Sequence, residues 1–356
     1  MKYKDDRVGW YEAGLPVAER KKRGHFSTPP KLVEHILDAC GYTLEKDLTS
    51  IRVLDPACGS GNFLTEATRR LLTFAQQQGL SQKEQIALIQ RNIWGFDPDP
   101  VSCFLAEMQL RTIVGGDGGA INRAPTSFHV HQADGLTLPW EPCIDLFVTN
   151  PPYLAAKNTD LSAYQFTQQR GQTDSYLLFL DIAFQVVRPD GWIGIVLPDP
   201  VLARANAAKQ RLHLLEAFTL HHLWHLAGVF AAEVGAVILI AQKRPPQLTH
   251  QVFWIRERWR NVGAQFIALE TTHINDAINT THNASAIPQS LFLRQPTAEL
   301  RYLLGSEHGK IIQRLHSYLH ETPSENRRLA PLEEFLSIRR GEELGRESPY
   351  LAQHTI

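Results

Sequence analysis

The chain has 356 residues, 43% hydrophobic and 21% charged, enough to bury one large core or two smaller ones in a soluble globular enzyme. Its formal net charge of −1 gives little general attraction for nucleic acid, so such a partner has to be held by local basic patches or by a second chain. No run approaches the roughly 20 apolar residues of a membrane span.

The start, Met1-Lys2-Tyr3-Lys4-Asp5-Asp6, lacks the apolar centre of a signal peptide, so the expected setting is cytoplasmic, with no membrane partner. Cys40, Cys58, Cys103 and Cys143 are scattered without a Cys-x-x-Cys pair, which argues against a metal site or a disulfide framework. After an N-terminal arm over 1–20, Thr28-Pro29-Pro30 predicts a helix with Thr28 as N-cap and proline in its first turn, closed at Gly41. From Ile51 to Lys243 short apolar runs alternate with helical patterns, the mark of an α/β fold with a mostly parallel sheet. The strands fall at Ile51–Leu54, Ile93–Phe96, Phe128–His131, Ile144–Thr149, Trp192–Leu197, Thr219–Leu226 and Val234–Ala241. Helical periodicity covers Phe63–Gln78, Val101–Ile113, Tyr176–Val187 and Leu202–Phe218.

Only Gly228–Glu233 separates the last two strands. Without room for a crossover helix they pair antiparallel, so the expected seven-stranded sheet ends in a reversed hairpin. This main domain spans 21–245. An extension and linker over 246–330 follows, with a strand-like piece at Val252–Ile255 and a helix-like piece at Ala298–Leu304. A short last segment covers 331–356.

Chemistry concentrates at the carboxyl ends of the strands. The stretch Asp55-Pro56-Ala57-Cys58-Gly59-Ser60-Gly61 is a glycine turn between a strand and a helix, where backbone amides approach a ligand. Spacing alone leaves a dinucleotide site or a merely structural turn open. The run lacks the full Gly-x-Gly-x-x-Gly order, and Asp55 would repel a pyrophosphate but suit an amino-acid ammonium. Asp97 ends the second strand, where a carboxylate accepts from ribose hydroxyls, and Asp134 follows the third, placed to accept from an adenine amino group. Each alone could be a helix cap, but together they describe a cleft for an adenosyl amino acid.

Asn150-Pro151-Pro152-Tyr153 follows the fourth strand and faces the same cleft. Neither proline has an N–H, and each proline holds the residue before it extended, so the turn presents a fixed amide oxygen and fixed carbonyls beside an aromatic ring. Such acceptors suit a planar NH2 group, taking its hydrogens and directing nitrogen electron density toward an electrophile.

These residues, in this order, resemble the gamma class of S-adenosylmethionine-dependent DNA adenine-N6 methyltransferases, as found in type II restriction–modification systems. The resemblance covers about Arg23 to Gln242. Gly24-His25-Phe26-Ser27-Thr28-Pro29-Pro30 resembles the leading segment that clasps the methionine end of the cofactor, which adds Thr28 to the site. Asp55, Pro56, Ala57, Gly59 and Gly61 correspond to the first cofactor loop, and Asp97 and Asp134 to the ribose and adenine acceptors. Asn150 to Tyr153 matches the catalytic tetrapeptide, and Gly228-Val229-Phe230 resembles the loop whose aromatic stacks on the far face of a flipped adenine.

The resemblance thus implies a seven-stranded methyltransferase sheet, S-adenosylmethionine as cofactor and double-stranded DNA as substrate. It implies catalysis by Asn150, Pro151, Pro152, Tyr153 and Phe230. Pro331 to Gly345 resembles the entry to a target-recognition domain, to be completed either by a separate recognition subunit or by further residues of a chain cut short here. Two other readings remain: a glutamine methyltransferase acting on a translation release factor, which resembles this chain at the same tetrapeptide, and a cofactor-binding scaffold subunit.

Overall fold

The computed structural model describes residues 27–115, 127–137, 142–154, 161, 164, 174–229, 235–258, 284–293 and 298–300. Contacts divide the chain into two units, Met1–Arg301 and Tyr302–Ile356, and every described residue belongs to the first. Phe230, the arm over 1–20, Gly24 to Phe26, and the segment over 331–356 lie outside the described residues.

Helix α1 (Pro30–Ala39) buries Leu32, Val33, Ile36 and Leu37, the spacing of one helical face. Its cap is Pro29 rather than Thr28, and no side chain caps it. Pro29 precedes a second proline and is held extended at ψ 139°, so the helix begins at Pro30 and Thr28 sits one position too early. The other end closes as expected. Gly41 adopts φ +71°, and the Gly41 and Tyr42 amides donate to the carbonyls of Asp38 and Leu37 at 2.8 and 2.9 Å.

The remaining elements are β1 (Val53–Asp55), α2 (Asn62–Gln77), α3 (Gln82–Asn92), β2 (Ile93–Asp97), α4 (Pro100–Gly115), β3 (His129–Gln132), β4 (Ile144–Thr149), α5 (Ser175–Val186) and β5 (Val187–Pro198). They continue as α6 (Ala208–Ala217), β6 (Thr219–Ala227), β7 (Ala236–Gln242), β8 (Gln251–Arg258), β9 (Ala284–Pro288) and α7 (Gln289–Leu293). One sheet holds all the strands in the order β3-β2-β1-β4-β5-β7-β6-β8-β9. β1 to β5 pair in parallel, while β7 lies antiparallel between β5 and β6. Strand order reverses between β1 and β4, and open α/β sheets bind ligands in the crevice at such a switch point.

Every residue of β4 is buried, as its continuous apolar run demands. Its one acid, Asp145, forms an ion pair with Arg188 and accepts the Arg52 N–H at 2.9 Å, so the charge is not left uncompensated.

The structure corrects other sequence expectations as well. The sheet has nine strands rather than seven, because β8 pairs in parallel with β6 and β9 runs antiparallel to β8. The 6–7 hairpin is present but does not end the sheet; Val252, Phe253, Trp254 and Ile255 are buried on both faces of β8. Helix α3 is absent from the sequence reading, although Ser81 and Glu84 form a reciprocal capping box. The helix expected over Leu202–Phe218 is broken: short 3-10 turns at Asp199–Leu202 and Ala205–Ala207 precede α6. There the fully buried Arg211 side chain takes the carbonyls of Val201 and Arg204 at 2.9 and 2.8 Å, and that of Ala298 at 3.1 Å. Among the described residues no helix is long and apolar enough to cross a membrane.

Candidate active site at the carboxyl ends of the strands

β1 delivers Asp55 into the protein interior, where its Oδ1 accepts the Ala57 N–H at 3.1 Å. Burial pushes this carboxyl up to about 7 against the pull of the Thr149 hydroxyl and the Ala57 N–H, and the negative charge of Asp97 adds to the rise. The loop beyond it is pinned to β2 by the Cys58 N–H, which donates to the Phe96 carbonyl at 2.9 Å. Gly61 closes the loop at φ +92° and caps α2. A Cβ there would lie 2.8 Å from Ala106 Cβ, so both the backbone and the packing of α2 on α4 require glycine.

β2 ends in the buried Asp97, whose two oxygens accept the Asp99 N–H at 2.8 Å and the Gly59 N–H at 3.0 Å. Asp97 is thereby aimed and tied to the glycine loop. The turn after β3 is drawn onto the same loop: a Cβ on Gly135 would lie 2.2 Å from the Pro56 carbonyl oxygen. Asp134 beside it accepts the Leu136 N–H at 3.0 Å and the Tyr164 hydroxyl.

After β4, the Tyr153 hydroxyl donates to Asn150 Oδ1 at 3.0 Å and to the Val196 carbonyl at 3.3 Å. Burial, with the charge of Asp199 behind it, pushes that hydroxyl well above its ordinary range, so it remains a donor. Ser175, the first residue of α5, locks the tetrapeptide from behind. Its Oγ donates to the Pro152 carbonyl and accepts the Leu154 N–H at 2.9 Å, while its own N–H bonds to the Leu154 carbonyl at 2.9 Å.

One cavity of about 200 Å³ gathers these ends. Of the residues singled out in the sequence, Thr28, Asp55, Pro56, Ala57, Gly59, Asp97, Asp134, Asn150 and Pro152 line it. Gly61, Pro151 and Tyr153 are not part of its wall, and Phe230 lies outside the described residues. The sequence reading missed Tyr164, Ser175 and Phe179, which also line the cavity, as does Asn62 at the end of the glycine turn. Asn62 Nδ2 donates to Ser27 Oγ and to the Thr28 carbonyl, both at 2.9 Å, which joins the segment before α1 to the start of α2.

Two thiols stand close by, but neither is activated. Burial pushes Cys58 well up, and burial with the neighbouring Asp97 raises Cys103 to about 11. Among the described residues no cluster of three or more His, Cys, Asp or Glu side chains could hold a metal.

A row of acids ends successive parallel strands, a glycine loop precedes α2, and a reversed β7 stands beyond β5; together they define the S-adenosylmethionine-dependent methyltransferase fold. A solved structure from Listeria monocytogenes, described as a class I S-adenosylmethionine-dependent methyltransferase, matches it with a TM-score of 0.54 at 17% identity, covering 76% of this chain and 75% of that one. A chain from a solved type I restriction–modification system matches with a TM-score of 0.57 at 20% identity, covering 83% of this chain and 63% of its own. The protein belongs to the N-6 DNA methylase family, whose profile matches residues 10–294. Among curated relatives, the type II methyltransferase M.BstVI of Geobacillus stearothermophilus is 25% identical over 232 residues, 61% of this chain and 41% of that protein. The chain therefore spans less than half the length of that relative.

Proposed function

We propose that the chain is the catalytic part of a cytoplasmic DNA adenine-N6 methyltransferase of a restriction–modification system. The observation that carries the reading is the convergence of Asp55, Asp97, Asp134 and Asn150 on one cavity. S-adenosylmethionine, when bound, supplies an electrophilic methyl group on a sulfonium. The acceptor set fits that molecule: Asp55 would face its ammonium, Asp97 its pair of ribose hydroxyls and Asp134 its exocyclic amine, while Gly59 leaves room beside the loop.

On this reading the Asn150 amide oxygen and the Pro151 carbonyl accept hydrogen bonds from the amino group of a target adenine extruded from the duplex. These acceptors keep the nitrogen lone pair directed at the methyl. Tyr153 and Phe230 supply the aromatic faces that hold the base, and the Tyr153 hydroxyl fixes the amide of Asn150. No covalent intermediate on the protein is required. The near-zero net charge supports a further recognition subunit or domain that reads the DNA sequence and neutralises phosphates. Family membership weighs against the release-factor alternative.

The test is transfer of labelled methyl from S-adenosylmethionine to duplex DNA, by the chain alone and with the product of the neighbouring gene, with N6-methyladenine identified in the digested product. Asp97→Ala should weaken cofactor binding by about 30-fold or more, since two hydroxyls lose a charged acceptor. Label found on protein or on cytosine, and none on adenine, would overturn the proposal.

A further inference from the structure

We infer that Tyr164 is a positioning residue that sets the base selectivity of the adenine end of the cavity, an inference that rests on the cavity taking an adenosyl cofactor. The sequence around Tyr164 carries no motif, yet the side chain lines the cavity and its hydroxyl reaches a carboxylate thirty positions earlier.

Asp134 is gripped at both oxygens. Oδ1 accepts the Leu136 N–H at 3.0 Å, a bond local to the turn, and Oδ2 accepts the Tyr164 hydroxyl. A carboxylate held at one oxygen can still rotate about its Cβ–Cγ bond; one held at both presents its remaining lone pairs in fixed directions. Burial, then the bond to Asp134 and its charge, pushes the Tyr164 hydroxyl up to about 12, so the donor keeps its proton throughout the neutral range. The turn is in turn seated by the close approach of Gly135 to Pro56, and Tyr164 by its N–H, which donates to the Leu161 carbonyl at 3.1 Å. The acceptor is thus fixed from two separate parts of the chain.

A fixed acceptor discriminates between purines. The 6-amino group of adenine donates to Asp134, whereas the 6-oxo group of hypoxanthine brings an oxygen against an acceptor that has no proton to offer. Freed of Tyr164, the carboxylate can turn away, losing part of its bond to the amine and part of its repulsion of the carbonyl.

The experiment is calorimetric binding of S-adenosylhomocysteine and S-inosylhomocysteine to the wild-type chain, Y164F and D134N, with thermal melts confirming that each variant is folded. The wild type should prefer the adenosyl ligand strongly, and Y164F should narrow the ratio of the two dissociation constants by about tenfold, the low end for a hydrogen bond to a charged group. D134N, whose amide can donate to a 6-oxo group, should narrow it further. A Y164F variant that weakens both ligands alike makes Tyr164 a packing residue, and one that tightens the adenosyl ligand makes it a competitor; either overturns the inference. Binding of neither ligand by the folded wild type would remove the cofactor reading itself. Adenosyl binding with a ratio that Y164F leaves unchanged would remove only the role of Tyr164.

Discussion

Replacing Asp55 by Asn should stabilise the ligand-free protein and flatten its response to pH. Asp55 is fully enclosed, and its carboxyl rises from an ordinary 3.8 to about 7 in the folded chain. Because the folded value lies above the unfolded one, the native state binds more protons between these limits, and stability falls as pH rises through that window. The whole rise corresponds to roughly 4 kcal/mol, of which more than half is lost between pH 5 and pH 8. Asn keeps the size of the side chain and an oxygen for the Ala57 N–H, but it does not titrate. Urea unfolding of both proteins at several pH values in that range gives the comparison directly. The wild type should lose roughly 2–3 kcal/mol relative to Asp55→Asn, and parallel curves would refute the argument. The same proton should leave when a cation settles against Asp55, so calorimetry of S-adenosylmethionine binding near pH 7, in buffers of different ionisation enthalpy, should show proton release that Asp55→Asn abolishes.

Other outcomes follow from particular contacts. Asn150→Ala should reduce methyl transfer at least about 100-fold while changing cofactor affinity less than about threefold, measured by single-turnover kinetics and calorimetry, because on the proposed mechanism the amide acts on the reacting group. Gly61→Ala should cost roughly 2–4 kcal/mol in denaturant unfolding, since it combines a left-handed backbone with a contact to Ala106; a loss below about 0.5 kcal/mol would contradict the geometry. Methylation of duplex DNA by the chain alone should be slow and steeply dependent on salt, and the neighbouring gene product should restore specific methylation. Full-rate specific methylation without it would exclude a required partner.

How much of this was readable from the sequence depended on whether the controlling interaction was local. β4 matches its expected bounds, Ile144 to Thr149, because a buried parallel strand is a continuous apolar run and the prolines after it must stop it. Asp55 and Asp97 were readable for the same reason, each being the acid at the end of an apolar run, whereas Asp134 follows the largely polar strand His129–Gln132 and was legible through the family resemblance; the fold brings all three to one cavity. Helix α3 was not, because it buries only Ile89 and Asn92 and so shows little apolar periodicity. Ser175 and Tyr164 are set by partners 23 and 30 residues away, a pairing that no periodicity reports. Phe179 is hidden for the opposite reason. It lies in α5, where nearly every residue is buried, and its sequence does not distinguish the face that lines a cavity from the faces that fill a core.

The buried Arg211 ties two times of synthesis together. Two of its carbonyl partners, on Val201 and Arg204, leave the ribosome before it does, but another belongs to Ala298, 87 residues later. Until that residue emerges, sealing the guanidinium away from water strands part of its hydrogen-bonding capacity, at a cost of about 1–3 kcal/mol or more for a charged group. The loop between β5 and α6 is therefore among the last parts at the carboxyl ends of the strands to set, and a nascent chain halted before Ala298 should leave it exposed to chaperones and proteases even though every described strand has already been made.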